Sequence, residues 1–245
     1  MTHRNFTQRL APALAAGALL LAGCASGPGA DPRDPLEPYN RSMTRFNDKL
    51  DDAVLAPVAT AYRDITPRPV RSGVENFFGN LGDAWSFVNS VLQLRARDAL
   101  DSLVRVNVNT VFGLAGVLDI ASEMGIERHK QDFGLTLARW GVPAGPYFVL
   151  PLLGPSTVRD ASVFPIDWYG DAVRQFDPVG TRYTLYGLRI VDKRARLLGA
   201  SAVLGGAALD RYSFTRDVYL GLRSGQAGAA DGEYDQDGGK LPQDY

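Results

Sequence analysis

The sequence predicts an all-α domain of short, often broken amphipathic helices, and three observations carry that expectation. Apolar residues recur at spacings of three and four in several segments, as one face of a helix requires. Between residues 34 and 223 no series of period-two strands with hairpin turns stands out. The 245 residues include 26 glycines and 15 prolines beside 45% hydrophobic residues, so a core can form but long uninterrupted helices are not expected.

The chain opens on an address. Arg4 and Arg9 precede an uncharged run from Leu10 to Ala22, which has the length of a signal-peptide hydrophobic region and is too short to span a bilayer. The run ends Leu21-Ala22-Gly23-Cys24, matching the bacterial lipobox: small residues before the cleaved bond, then a cysteine whose sulfur receives diacylglycerol. Residues 1–23 are therefore expected to be removed and Cys24 to carry lipid. Each buried methylene contributes about 0.8 kcal/mol, so two or three acyl chains hold the mature protein on a membrane. Ala25 stands where an aspartate would favour retention at the inner membrane, which points to the outer membrane. Residues 24–33, rich in Gly and Pro, read as the acylated cysteine and a flexible tether.

Structure is expected to start at Asp34-Pro35, a helix N-cap followed by a proline in the first turn. Tyr39, Met43, Phe46 and Leu50 then mark an amphipathic helix, with Asn40, Arg41, Arg45 and Asp48 between them. Pro57, Pro67 and Pro69 divide the next stretch. A second pattern runs Phe77, Leu81, Trp85, Val88 and Leu92, and a third runs Leu100, Val104, Val108 and Val111.

Residues 140–158, "WGVPAGPYFVLPLLGPSTV", form 19 consecutive uncharged positions, long enough to be a transmembrane candidate. Pro143, Pro146, Pro151 and Pro155, with Gly141, Gly145 and Gly154, forbid a straight helix. One reading is a re-entrant loop beside a pocket or pore, because irregular backbone at membrane depth needs protein or water to satisfy its amides. The other is a proline-rich loop packed in a soluble core. The lipid anchor tips the balance toward the membrane.

Further on, Arg189, Lys193, Arg194 and Arg196 precede the small, apolar run Leu197 to Leu209. The first three are candidate contacts to lipid headgroups, each such charge being worth about 1 kcal/mol near an anionic surface. A solvated helix face explains them equally well. Residues 224–245 carry five acidic residues and one lysine with little hydrophobicity, and read as a disordered tail. Within it Glu233, Asp235, Asp237, Gly238 and Asp244 only imitate a calcium loop, because the first and last acids are wrong and Lys240 sits where an apolar residue belongs.

The inventory limits the chemistry. With 26 basic and 27 acidic residues there is no general attraction for nucleic acid. Cys24 is the sole cysteine and His3 and His129 the only histidines, so no structural disulfide or Cys/His zinc site can form within one chain. No metal, cofactor or catalytic residue is assigned. No G-x-S-x-G elbow accompanies His129, and no glycine-rich loop ends in Lys-Ser or Lys-Thr.

Several ordered blocks resemble the MlaA/VacJ family of outer-membrane lipoproteins. They are "DPLEPYNRSMTRFN" (34–47), "NFFGNL" (76–81), "NTVFGLAGVLDIA" (109–121), "DFGLTLARWGVPAGPYFVLPLLGPSTVRD" (132–160) and "DRYSFTRDVYL" (210–220). Pro38-Tyr39 departs from the usual Gly-Phe, and Arg211 replaces a usual proline. The similarity spans residues 34–223.

The resemblance implies a ring-like helical protein in the periplasmic leaflet of the outer membrane, with an amphipathic pore through it. Phospholipids misplaced in the outer leaflet would pass through it passively to a soluble periplasmic carrier, with a trimeric porin as outer-membrane partner. In that role Trp140, Tyr147, Phe148, Val149, Leu150, Leu152 and Leu153 would face outward onto acyl chains. Gly141, Pro143, Gly145 and Pro146 belong to the same hairpin, the last three fixing the bend beside the pore. The alternatives are a structural envelope lipoprotein, or a lipid-modifying hydrolase dependent on His129 or an acidic pair.

Overall fold

The computed structural model describes residues 31–207 and 210–230. Cys24 and the calcium-loop imitation at residues 233–244 lie outside them. In chain order the elements are α1 (Glu37–Leu50), a π-helical turn (Asp51–Leu55), α2 (Ala56–Ile65), α3 (Arg68–Leu92), α4 (Ala96–Val111), α5 (Ile120–Glu123) and α6 (Phe133–Arg139). There follow strands β1 (Tyr147–Leu150) and β2 (Gly154–Thr157), α7 (Val158–Gly170), a 3-10 turn (Ala172–Gln175), α8 (Val179–Ala207) and α9 (Arg211–Ala230). The fold is all-α apart from this one hairpin among the described residues.

Prolines start helices here more than they break them. Pro38 and Pro69 sit in the first turns of α1 and α3, where a missing N–H removes no helical bond, and Pro57 falls just after the π-helical turn that joins α1 to α2. Consequently α3 runs for 25 residues and α8 for 29, longer than the expected fragments.

The helix expected to be capped by Asp34 begins at Glu37 instead, because Asp34 is drawn inward. Its carboxylate accepts from Asn40 Nδ2 at 2.7 Å, from the Tyr212 hydroxyl and from Arg216 at 3.3 Å, which ties the start of the fold to α9. Asp31 also pairs with Arg216 at 2.9 Å, and the Arg33 carbonyl accepts the Tyr147 N–H at 2.8 Å. Residues 31–33 thus belong to the domain and not to the expected tether. At the other end α9 continues over residues 224–230, where composition predicts a disordered tail. Arg223 anchors that helix, donating to Asp132 at 2.7 and 2.8 Å, to Asp160 at 2.7 Å and to Gln226 Oε1 at 3.3 Å.

The interior is unusually polar. Among the described residues, eighteen polar or charged and twelve hydrophobic residues are buried. On α3 the buried positions include Asn80, Asp83, Ser86, Asn89 and Ser90, with Gln93 just beyond its end, and on α4 Asp98, Ser102, Arg105 and Asn109. Val88, Val91, Leu92, Leu100, Leu103, Val104 and Val111 on the same two helices are exposed. Periodicity is helical, but its sense is reversed from that of a water-soluble bundle. The buried groups bond one another: Arg105, with the Asp83 carboxylate at 3.2 Å and Asp119 at 2.8 Å, joins α3 and α4 to the segment before α5. Gln93 donates to Gln131 at 3.1 Å and to Thr136 at 3.0 Å, and Thr136 donates to Asn89 at 2.8 Å.

The uncharged run 140–158 folds as an antiparallel β-hairpin, with Tyr147 opposite Thr157 and Leu150 opposite Gly154. No described helix is long and apolar enough to cross a membrane. The strands escaped the expectation because all four residues of β1 are apolar, so their alternation is invisible in composition.

Candidate functional site

A cavity of about 530 Å³ opens between α3, the 128–131 segment, the end of α7 and α8. Glycines on α3 make room for it. Gly82 has nothing within 4 Å of where a Cβ would stand, and Gly79 lets the Arg128 guanidinium lie 2.7 Å from that point on the helix backbone. Phe78, Leu81, Trp85 and Leu197 supply an apolar wall, facing Arg128, Lys130, Arg189, Lys193 and Arg196 with Glu75, Asp83, Asp167 and Asp171 among them.

The acids are all engaged. Asp83 pairs with Arg105 and Arg128, Asp171 with Arg189 at 2.5 Å, and Glu75 with Arg196, which also reaches Asp192 at 3.1 Å. Asp167 accepts from Trp85 Nε1 and from the Phe133 N–H, both at 2.8 Å, and burial raises its pKa. Lys130 and Lys193 have no ion-pair partner among the described residues. Lys193 is exposed to the cavity, yet protein encloses it; desolvation first, then Arg189, Lys130 and Arg196, push its ammonium pKa down. The cavity therefore combines an apolar wall with five cations against four carboxyl groups, the two lysines outside any ion pair among the described residues, which suits an anionic group joined to hydrocarbon.

Of the expected headgroup contacts, Arg189 and Lys193 line this cavity and Arg194 does not. Arg194 forms two 2.7 Å bonds to the Asp51 carboxylate, joining α8 to the π-helical turn. The physical reason is helical phase: Arg189, Lys193 and Arg196 recur at spacings of four and three on one face, and Arg194 lies about 100° away. That spacing could have selected Arg196. Arg128, Lys130, Phe78 and Trp85 reach the cavity through tertiary folding and carried no local signal for it.

The hairpin residues divide. Tyr147 and Val149, expected to face outward, are each 1% exposed and pack against Tyr212, Met43, Tyr219 and Leu220, because successive strand residues point to opposite faces. Phe148 and Leu150, on the other face, are half-buried, Phe148 stacking on Tyr39 with ring centroids 5.3 Å apart. Trp140, Leu152 and Leu153 are exposed, and Trp140 Nε1 bonds the Leu92 carbonyl at 3.2 Å. Pro143 and Pro146 are exposed between them, and Gly141 and Gly145 take φ of +87° and +69°, a region that side chains disfavour.

His129 stands outside the cavity lining, with Nε2 3.0 Å from Asp101 and Nδ1 3.8 Å from Asp98. Among the described residues no group of three or more His, Cys, Asp or Glu is arranged to hold a metal ion.

Comparison with known proteins places this architecture. A family model described as MlaA lipoprotein matches residues 32–226. The intermembrane phospholipid transport system lipoprotein MlaA of Escherichia coli (strain K12) is 36% identical over 224 residues, covering 85% of this chain and 84% of that protein. Its counterpart in Haemophilus influenzae is 35% identical over 213 residues, covering 82% and 84%. A chain solved in work on the structural basis for maintenance of bacterial outer membrane lipid asymmetry superposes with a TM-score of 0.66 at 32% identity, covering 79% of this chain and 98% of that one.

Proposed function

The chain belongs to the MlaA lipoprotein family, and on that premise we propose that it moves phospholipid out of the outer membrane's outer leaflet through the charged cavity. It is an outer-membrane-associated lipoprotein of phospholipid transport, a family of no known enzyme class. Anchored by acylated Cys24, a ring-like body seated in the periplasmic leaflet would take misplaced phospholipids passively and release them to a soluble periplasmic carrier. A trimeric porin is the partner that the resemblance supplies.

The observation that supports this most is the reversal of sides: charged and amide groups inside, and Val88, Val91, Leu92, Leu103 and Val104 outside. Such a surface suits hydrocarbon, while the polar interior lets a headgroup cross without losing all its hydrogen-bond partners, a loss of several kcal/mol per group. The exposed hairpin tip at Leu152 and Leu153, with Trp140, would add to the lipid-facing surface, and Trp suits the interface.

The test is complementation of a strain lacking the gene, reading phospholipid in the outer leaflet. Wild type and His129→Ala should restore the low level, whereas Cys24→Ala and the Lys130→Glu/Lys193→Glu pair should not. Full rescue by the charge-reversed pair at normal abundance would remove the cavity from the route; failure of His129→Ala would revive the hydrolase.

A further inference from the structure

A second, apolar groove of about 480 Å³ shares Phe78 with the charged cavity and is walled by Val70, Val74, Phe77, Val117 and Leu188. Phe78 lines both spaces. The Arg189 guanidinium carbon lies 5.9 Å from its ring centroid, and Phe77 meets the ring edge-on at 5.2 Å. One aromatic ring thus has a cation and an aromatic hydrocarbon as its neighbours, and both a charged and an apolar space border its residue. The groove wall is held close by Gly73, where an added Cβ would stand 2.9 Å from Val117 Cγ1.

We propose that these two spaces form a single two-part phospholipid site, with the phosphate beside Lys130 and Lys193 and one acyl chain lying in the groove between α3, Val117 and α8. The proposal rests on the phospholipid reading above and adds where the lipid pauses and how it is held. The shared Phe78 wall and the charge in one of the two spaces select the occupant. A purely apolar ligand would leave the two ammonium groups uncompensated, and a water-soluble phosphate would leave the groove empty. An amphiphile carrying an anion a few bonds from its hydrocarbon satisfies both. Burying hydrocarbon drives the chain into the groove, while the phosphate relieves the mutual repulsion of Lys193 and its cationic neighbours.

The mature full-length lipoprotein in a non-ionic detergent can be titrated with phosphatidylglycerols of increasing acyl length, counting bound lipid by native mass spectrometry. For wild type, each further methylene seated in the groove should tighten binding, by at most roughly three- to fourfold, the gain for a methylene that leaves water. Val117→Trp, which fills the groove from an exposed position, should abolish that length dependence; Val70→Trp serves as a second plug should the first fail to fold. Lys130→Glu/Lys193→Glu should weaken every length on the order of tenfold. Undiminished length dependence in folded plug variants overturns the two-part site; if the charge-reversed pair still loses binding, passage through the cavity survives. Unchanged binding in the plug and charge variants alike would remove both. Equal binding of oleate would overturn the assignment of the anion to phosphate.

Discussion

Asn40 and Asn47 stand seven residues apart on α1 and grip the hairpin backbone in the same way. Asn40 Nδ2 donates to the Tyr147 carbonyl at 3.0 Å while its Oδ1 accepts the Val149 N–H at 2.9 Å. Asn47 Nδ2 donates to the Leu150 carbonyl at 3.0 Å while its Oδ1 accepts the Leu152 N–H at 2.8 Å. Two turns of helix place both amides on one face, so α1 acts as a surrogate strand along the open edge of β1. Asn40 is fully buried, and Asn40→Ala would orphan a carbonyl and an N–H together, each costing about 1–3 kcal/mol. Asn40→Ala should therefore destabilise by about 2–5 kcal/mol in denaturant titrations, more than Asn47→Ala, and speed hydrogen exchange at the Val149 amide.

Arg105 is 1% exposed, with its guanidinium shared among Asp83, Asp119, Ser122 and the Ile126 carbonyl. Burial already pushes the Asp83 carboxyl up, against the pull of Arg128 and Arg105. Arg105→Met removes one of those two cations and leaves Asp83 and Asp119 to Arg128 alone, a loss of about 3 kcal/mol. Arg105→Lys should recover only part of it, because one ammonium cannot span the same acceptors. Thermal unfolding of the two variants in one detergent checks the order.

Acid should loosen the clasp between the start of the domain and α9. The Asp31 pKa is held down at about 2 by hydrogen bonds from the Arg33 side chain and then its backbone N–H. Arg41 and Ser213 likewise depress Asp210, which bonds the Tyr212 N–H at the start of α9. A folded value below the unfolded one gives stability that is complete above the unfolded pKa, about 3.9, and is lost as pH falls to the folded value. The difference in unfolding midpoint between wild type and Asp31→Asn should be present at pH 5 and close as pH falls from about 4 toward 2. A gap that stays constant over that range would show that the Asp31 charge contributes nothing to the clasp.

How far such features can be read from sequence depends on whether their signal is local. Phe77, Leu81, Trp85, Val88 and Leu92 correctly mark α3 as a helix, yet Val88 and Leu92 face outward while Asn80, Ser86 and Asn89 are buried. Spacing reveals the period and not which side meets the interior; that depends on what surrounds the protein. That residues 140–158 could not form a straight helix was legible from their glycines and prolines, but the strands and their register were not, since Asn40 holds β1 from 107 residues away. The cavity was half legible, because Arg189 and Lys193 share a helix face, whereas Lys130 and Trp85 arrive from distant segments.

Leu94 links α3 to α4 with φ of +58° and is 91% exposed. Leu114, beyond the other end of α4, repeats the arrangement with φ of +52° and 69% exposure. The left-handed region costs an L-residue roughly 1–2 kcal/mol, which glycine avoids. In water a leucine at such a tip brings strain with no burial in return; in hydrocarbon, burying the side chain offsets it by about 1.5–3 kcal/mol. The two environments therefore give opposite signs for Leu94→Gly. In detergent-free solution, with Cys24→Ala removing the anchor, the substitution should leave stability unchanged or raise it by about 1 kcal/mol. Partition of the same protein onto phospholipid vesicles, measured by co-sedimentation, should fall about ten- to a hundredfold. Partition that does not change would place the α3–α4 tip outside the hydrocarbon, leaving the strain at Leu94 without compensation from the membrane.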